Sequence, residues 1–144
     1  DFRYRTDGGE LKVLDVFRKR FVKLTPEEEV RQRFARYLLE EKGYPASLIM
    51  TEYSLKVNKL TRRCDILVHK PAGFPALLVE CKAPEVAISQ ASFDQVARYN
   101  LAFRVSYLIV SNGLKHYCCR VDFETGKITF LSEIPSYAEL SPGP

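Results

Sequence analysis

The sequence predicts one mixed α/β domain, an α+β fold in which a helix, three strands, a second helix and further strands follow in that order. Three observations predict it. Residues 25–41 place apolar side chains at helical spacing between a capping signal and Gly43. Residues 48–82 hold three strand-like runs, the last two separated by a Lys70-Pro71-Ala72-Gly73 turn. The chain has 144 residues, the length of a single core.

Composition narrows the class. Hydrophobic residues make up 46% and charged residues 28%, which supports a core of ordinary size. Eight Tyr and nine Phe exclude a disordered chain. A net charge of +4 permits a polyanionic partner without arguing for one. No apolar run approaches the roughly 18 residues of a membrane span, and Asp1–Arg5 does not read as a signal peptide. A cytoplasmic protein with no membrane contact is expected. Cys64, Cys81, Cys118 and Cys119 form no CxxC pair, and only His69 and His116 are at hand, so neither a zinc site nor a structural disulfide is expected.

The elements follow in order. Residues 2–5 and 11–16 flank Asp7-Gly8-Gly9 and predict a hairpin in an N-terminal extension, residues 1–24. The basic run Arg18, Lys19, Arg20 and Lys23 reads as a solvated face or a connector. The main domain is placed at 25–133. Thr25 can cap a helix, Pro26 suits its first position, and Glu28 falls at the capping-box position. Val30, Phe34 and Tyr37 form its apolar stripe. At about 100° per residue Glu27 lies on that stripe, with Glu28 and Glu29 off it. Strands are predicted at 48–57, 63–69 and 76–82. Ile49, Thr51, Tyr53, Leu55 and Val57 share one face of the first; Glu52 and Lys56 take the polar face. A second helix is predicted at 90–103 and a strand at 105–110. Asn112-Gly113 then turns the chain into 114–121, and Thr125-Gly126-Lys127 into 128–131. Residues 134–144, with Pro135, Pro142 and Pro144, read as an irregular tail.

The chemistry concentrates on two strands. Asp65 lies within the second, and Glu80 and Lys82 lie near the end of the third. Residues two apart on a strand share a face, so Glu80 and Lys82 project together while Cys81 points away. Charged side chains on apolar strands are costly unless paired or metal-bound. Two neighbouring carboxylates repel, and a divalent cation removes that repulsion; hard oxygen ligands suit Mg²⁺ or Mn²⁺.

Asp65 followed by Glu80-Cys81-Lys82 resembles the Asp…Glu-x-Lys signature of the PD-(D/E)xK nuclease superfamily. The motif's proline is absent, since Cys64 precedes Asp65. Gln95-Val96-Ala97-Arg98-Tyr99 fits the QxxxY pattern of type I restriction endonuclease subunits. Pro26–Gln32, Lys82-Ala83-Pro84 and Ser111-Asn112-Gly113 are similar to the N-terminal domain of type I restriction R proteins.

The resemblance implies a restriction-endonuclease-like core: a central mixed β-sheet flanked by helices (αβββαβ), with an extra C-terminal hairpin. It implies an Mg²⁺- or Mn²⁺-dependent endonuclease that hydrolyses DNA. Asp65 and Glu80 would hold the metal, with the Cys81 backbone carbonyl as a further ligand, and Lys82 would orient or activate the attacking water. A helix-borne acid joins such sites: Glu27 by phase and spacing, with Glu28 the competing choice. Gln95 and Tyr99 would support the site. Apart from the resemblance, Arg31, Arg62 and Arg63 are candidates to flank a phosphate path, with a solvated basic face as the default reading. DNA, other restriction-modification or motor subunits and a second copy of the chain are the partners implied. A DNA-binding or accessory module that keeps the fold without turnover is the alternative reading.

Overall fold

The computed structural model describes residues 2–140, with the side chains of Val57, Tyr99, Leu101 and Ala102 outside the description. Nine strands and two α-helices are present among the described residues. The first three strands, β1 (Tyr4–Asp7), β2 (Glu10–Asp15) and β3 (Arg20–Lys23), form an antiparallel meander. Helix α1 (Pro26–Glu41) follows. Next come β4 (Ile49–Val57), β5 (Leu60–His69) and β6 (Pro75–Cys81), then helix α2 (Gln90–Phe103). The chain closes with β7 (Tyr107–Ser111), β8 (His116–Val121) and β9 (Ile128–Leu131).

Strands β4 to β9 form one six-stranded sheet in chain order. Only the β6–β7 pair is parallel, because α2 carries the chain back between them. The two helices cover the two faces. On one face Val30, Phe34, Ala35 and Leu38 of α1 meet Ile66, Val68, Leu77, Val79, Cys81 and Ile109. On the other face Phe93, Val96 and Phe103 of α2 meet Cys64, Leu67, Leu78, Leu108 and Val110. The central strands are buried on both sides, and β7 is buried along its whole length, which is why these runs are continuously apolar. Adjacent Cys118 and Cys119 fall on opposite faces. All four cysteines are free and buried, and burial pushes every thiol upward in pKa, so none is poised for reaction.

The local rules explain the helix ends. Thr25 Oγ1 accepts the Glu28 amide at 3.0 Å, and Pro26 occupies the first turn. Gly43, at φ +72°, lets the chain leave the last turn in a left-handed step. Helix α2 starts on a Ser89/Ser92 capping box and ends where Asn100 Oδ1 accepts the Val105 amide at 2.7 Å.

Three expectations change. The end of the basic run, Arg20–Lys23, forms β3 and adds a third strand to the meander, with Asp15 pairing across to Arg20. Phe21 and Val22 are half-buried between exposed Arg20 and Lys23, a short strand masked in the sequence by its charges. The segment 134–140, read as an irregular tail, is packed against the core: Ile134 and Leu140 are buried on the α1 side, and the Tyr44 hydroxyl donates to the Pro135 carbonyl at 2.9 Å. Residues 141–144 of the expected tail lie outside the described residues.

The third change concerns α1. Its buried face includes Glu28, Arg31 and Gln32 beside Val30, Phe34, Ala35 and Leu38. Glu28 is thus buried, while the Glu27 side chain is 49% exposed. The phase read from apolar residues alone misses this, because the second buried stripe of α1 is polar and is neutralised by groups from other elements.

Candidate active site

Asp65 lies where two ladders are interrupted. Thr51 pairs with Ile66 and Tyr53 pairs with Cys64, while Glu52 and Asp65 between them do not pair. Glu52 has φ +52°, a conformation that costs a residue with a side chain roughly 1–2 kcal/mol. Both strands change faces there. Ile49 belongs to the α1-side core and Tyr53 and Leu55 to the α2-side core; Ile66 and Val68 face α1, yet Cys64 faces α2. The single face expected for Ile49, Tyr53 and Leu55 is therefore broken at Glu52.

On its other side the β5–β6 ladder stops at the Ile66–Val79 pair. The Asp65 side chain takes over from the missing rung: its Oδ2 accepts the Cys81 amide at 2.7 Å. The Lys82 amide donates to the Ser111 carbonyl at 2.8 Å, so the end of β6 is fixed from β7 as well.

These irregularities open a hollow of about 310 Å³ lined by Glu27, Arg31, Glu52, Arg63, Cys64, Asp65 and Glu80. Four carboxylates from α1, β4, β5 and β6 border it. Burial, the charge of Asp65 and a hydrogen bond shared with Asp65 push Glu80 up to about 8. Near neutral pH Glu80 therefore tends to hold a proton between the two carboxyl groups. Burial and the Asp65 charge also raise Glu27, whose carboxylate answers to the same site. Lys82 Nζ stands 3.6 Å from Glu80 Oε2 and lowers its pKa in opposition.

Arg31 holds the centre. Its Nε and Nη2 donate to Asp65 Oδ1 at 3.1 and 2.5 Å, and its Nη1 donates to Glu28 Oε1 at 2.5 Å. Nη2 also lies 3.6 Å from both Glu27 and Glu52. The Arg31 side chain is only 7% exposed, so it is an internal counter-ion and not the surface phosphate contact expected of it. Arg62 and Arg63 are exposed, and Arg63 Nη2 donates to Glu52 at 3.1 Å.

Glu28 is anchored from behind. Arg18 Nη2 donates to both its oxygens at 3.0 and 2.9 Å, and Gln32 Nε2 donates at 2.9 Å. Arg18 also pairs with Asp15, which is fully buried and accepts the Thr51 hydroxyl at 2.8 Å. Burial alone would raise Asp15; the hydrogen bonds and charge of Arg18 outweigh it and hold Asp15 below its ordinary pKa. A charged chain thus runs from the meander to Asp65.

The sequence-expected residues divide. Glu27, Asp65 and Glu80 line the hollow, with Lys82 against Glu80. Gln95 is exposed on α2 and is absent from the lining; the Tyr99 side chain lies outside the described residues. Glu52, Arg18 and Asp15 join the cluster beyond what the sequence predicts. Antiparallel pairing of 48–57 with 63–69 in the observed register would have placed Glu52 opposite Asp65. Nothing in the basic run singled out Arg18.

The donor chemistry fits a hard divalent cation, since carboxylate oxygens from three or four elements surround one hollow. Among the described residues no three His, Cys, Asp or Glu side chains are set to hold a metal ion. Both Asp65 oxygens are engaged, one by Arg31 and one by the Cys81 amide.

A mixed sheet between two helices, with an acidic hollow where the pairing of β5 is interrupted at Asp65, defines an α+β domain built around an acidic site. Residues 26–135 match the family described as Type I restriction enzyme R protein N terminus. The chain belongs to that family. Its fold is similar to a fragment structure assigned as the HsdR subunit of a type I restriction enzyme from Vibrio vulnificus YJ016. That match has a TM-score of 0.58 and 23% sequence identity, and covers 81% of this chain. The chain spans 24% of the length of that solved structure. No curated protein sequence matches it. No helix among the described residues is long and apolar enough to cross a membrane.

Proposed function

We propose that this chain is a metal-dependent nuclease domain of the PD-(D/E)xK type that hydrolyses phosphodiester bonds in DNA. The observation that carries the reading is convergence. Asp65, Glu80 and Glu27 come from three elements to one hollow, with Lys82 3.6 Å from Glu80. Asp65 and Glu80 would hold Mg²⁺ or Mn²⁺, with the Cys81 carbonyl as a further ligand and Glu27 as the helix acid. The ion, when bound, supplies charge stabilisation at a phosphate oxygen and lowers the pKa of water. Lys82 would steady negative charge or orient or activate the attacking water. Arg63, exposed and lining the hollow, and exposed Arg62 would flank a phosphate path. Membership of a restriction-subunit family supports DNA as substrate and other restriction-modification or motor subunits as partners. A second copy of the chain is a further candidate partner.

Glu28 is the weaker choice of helix acid. Its carboxylate is committed to Arg18, Arg31 and Gln32 and is not part of the lining.

One observation favours the alternative of a DNA-binding module without turnover: Arg31 already occupies Asp65. Plasmid cleavage separates the two. With Mg²⁺ or Mn²⁺ the protein should nick DNA, and Asp65→Ala and Lys82→Ala should not. Equal nicking by all three identifies a contaminant and removes the assignment. Steeply salt-dependent DNA binding with no cleavage supports the module.

A further inference from the structure

We infer that Arg31 is a built-in counter-cation that closes the acidic hollow and must leave Asp65 before a divalent ion can bind there. The inference rests on the metal-site reading above and concerns its regulation.

The geometry is that of a plug. The guanidinium places two nitrogens on one oxygen, Asp65 Oδ1, and is nearly excluded from solvent. Arginine cannot shed its proton to make way for a second positive charge. A divalent ion bound to Asp65 would sit within a few ångströms of the guanidinium, and like charges that close repel strongly at a buried site. Movement of Arg31 off Asp65 relieves that repulsion directly.

The surroundings provide for that movement. Glu27 Oε1 and Glu52 Oε1 each lie 3.6 Å from Nη2, beyond a good hydrogen bond and within one small rotation of it. Both carboxylates are partly exposed, so they border the hollow on its open side. Nη1 stays anchored on Glu28, which Arg18 and Gln32 hold in place. The guanidinium can pivot about that anchor, giving up Asp65 and taking Glu27 or Glu52. Without the ion, Arg31 neutralises Asp65 and keeps the site assembled; the ion must displace it, which weakens its apparent affinity.

Calorimetric Mn²⁺ titration of wild type, Arg31→Lys and Arg31→Gln tests this, with folding checked by circular dichroism. Arg31→Gln should bind Mn²⁺ about tenfold tighter than wild type or more. Arg31→Lys keeps the charge but not the fork and should fall between. A folded Arg31→Gln with equal or weaker affinity overturns the inference. A wild-type measurement covers the case in which the variants fail to fold. In ¹H–¹⁵N spectra titrated with Mg²⁺, the Arg31 Nε–H signal and the Cys81 amide should move with one midpoint. If the Cys81 amide moves and Arg31 does not, the metal site stands and the plug is wrong. If neither moves and no heat is released, the metal-site reading itself falls and takes the plug with it.

Discussion

The Cys81 amide donates to Asp65 Oδ2 at 2.7 Å, across a gap where the β5–β6 ladder has already ended. A carboxylate does the work of a backbone carbonyl there, and the same residue carries the charge that organises the hollow. Stability and site are therefore coupled. Asp65→Ala strands the buried Arg31 and an inner amide, and should cost about 3–5 kcal/mol of unfolding free energy. Asp65→Asn keeps an acceptor for Cys81 and should cost less. Urea unfolding of the pair checks the order.

Glu80 makes stability depend on pH. Its pKa is raised to about 8 by burial and by Asp65, from an ordinary value of 4.5. Between those values the folded chain binds more protons than the unfolded chain at this group. The contribution of Glu80 is thus complete at low pH and is lost as pH rises through 8. Without added metal, wild type should lose stability relative to Glu80→Gln between about pH 5 and 8. Parallel melting temperatures for the two proteins across that range would contradict the shared proton.

Glu52 reverses the usual order of glycine and alanine. At φ +52° a Cβ is strained, so Glu52→Gly should be more stable than Glu52→Ala by about 1 kcal/mol. In an ordinary strand position glycine is the weaker residue. Thermal melts of the two variants isolate the backbone term, since both lack the carboxylate.

Asn112 braces the loop that follows Lys82. Its Nδ2 donates to the Val86 carbonyl at 3.0 Å, and its Oδ1 accepts the Leu114 and Lys115 amides. Asn112→Ala should cost about 1–3 kcal/mol and slow DNA cleavage while leaving the fold intact. Asn112→Asp keeps the acceptor but not the donor, and should retain the turn while losing the tie to Val86. Cleavage rates and unfolding curves for both variants check this.

Much of the fold was legible because it is carried by apolar periodicity. The runs 63–69 and 76–82 read as strands and fall on β5 and β6. The Thr25–Pro26 cap and the Gly43 stop bound α1 as the chain suggests. Asp65, Glu80 and Lys82 stood out because charge on apolar strands needs a reason. The burial of Arg18, Glu28 and Arg31 is illegible for the converse cause. A salt bridge between distant segments leaves no period in the sequence, so a buried charged stripe looks like a solvated one. Glu52 was hidden by its backbone: strict alternation sends it to the polar face, and only the left-handed step reveals that the strand changes faces there.

The most direct measurement is the anomalous signal of Mn²⁺ in crystals grown or soaked with the ion. A peak should lie in the hollow, bonded to oxygens of Asp65 and Glu80. Arg31 should then be withdrawn from Asp65 Oδ1. No peak at saturating Mn²⁺, with Arg31 still on Asp65, would contradict the reading of this hollow as a metal-dependent nuclease site.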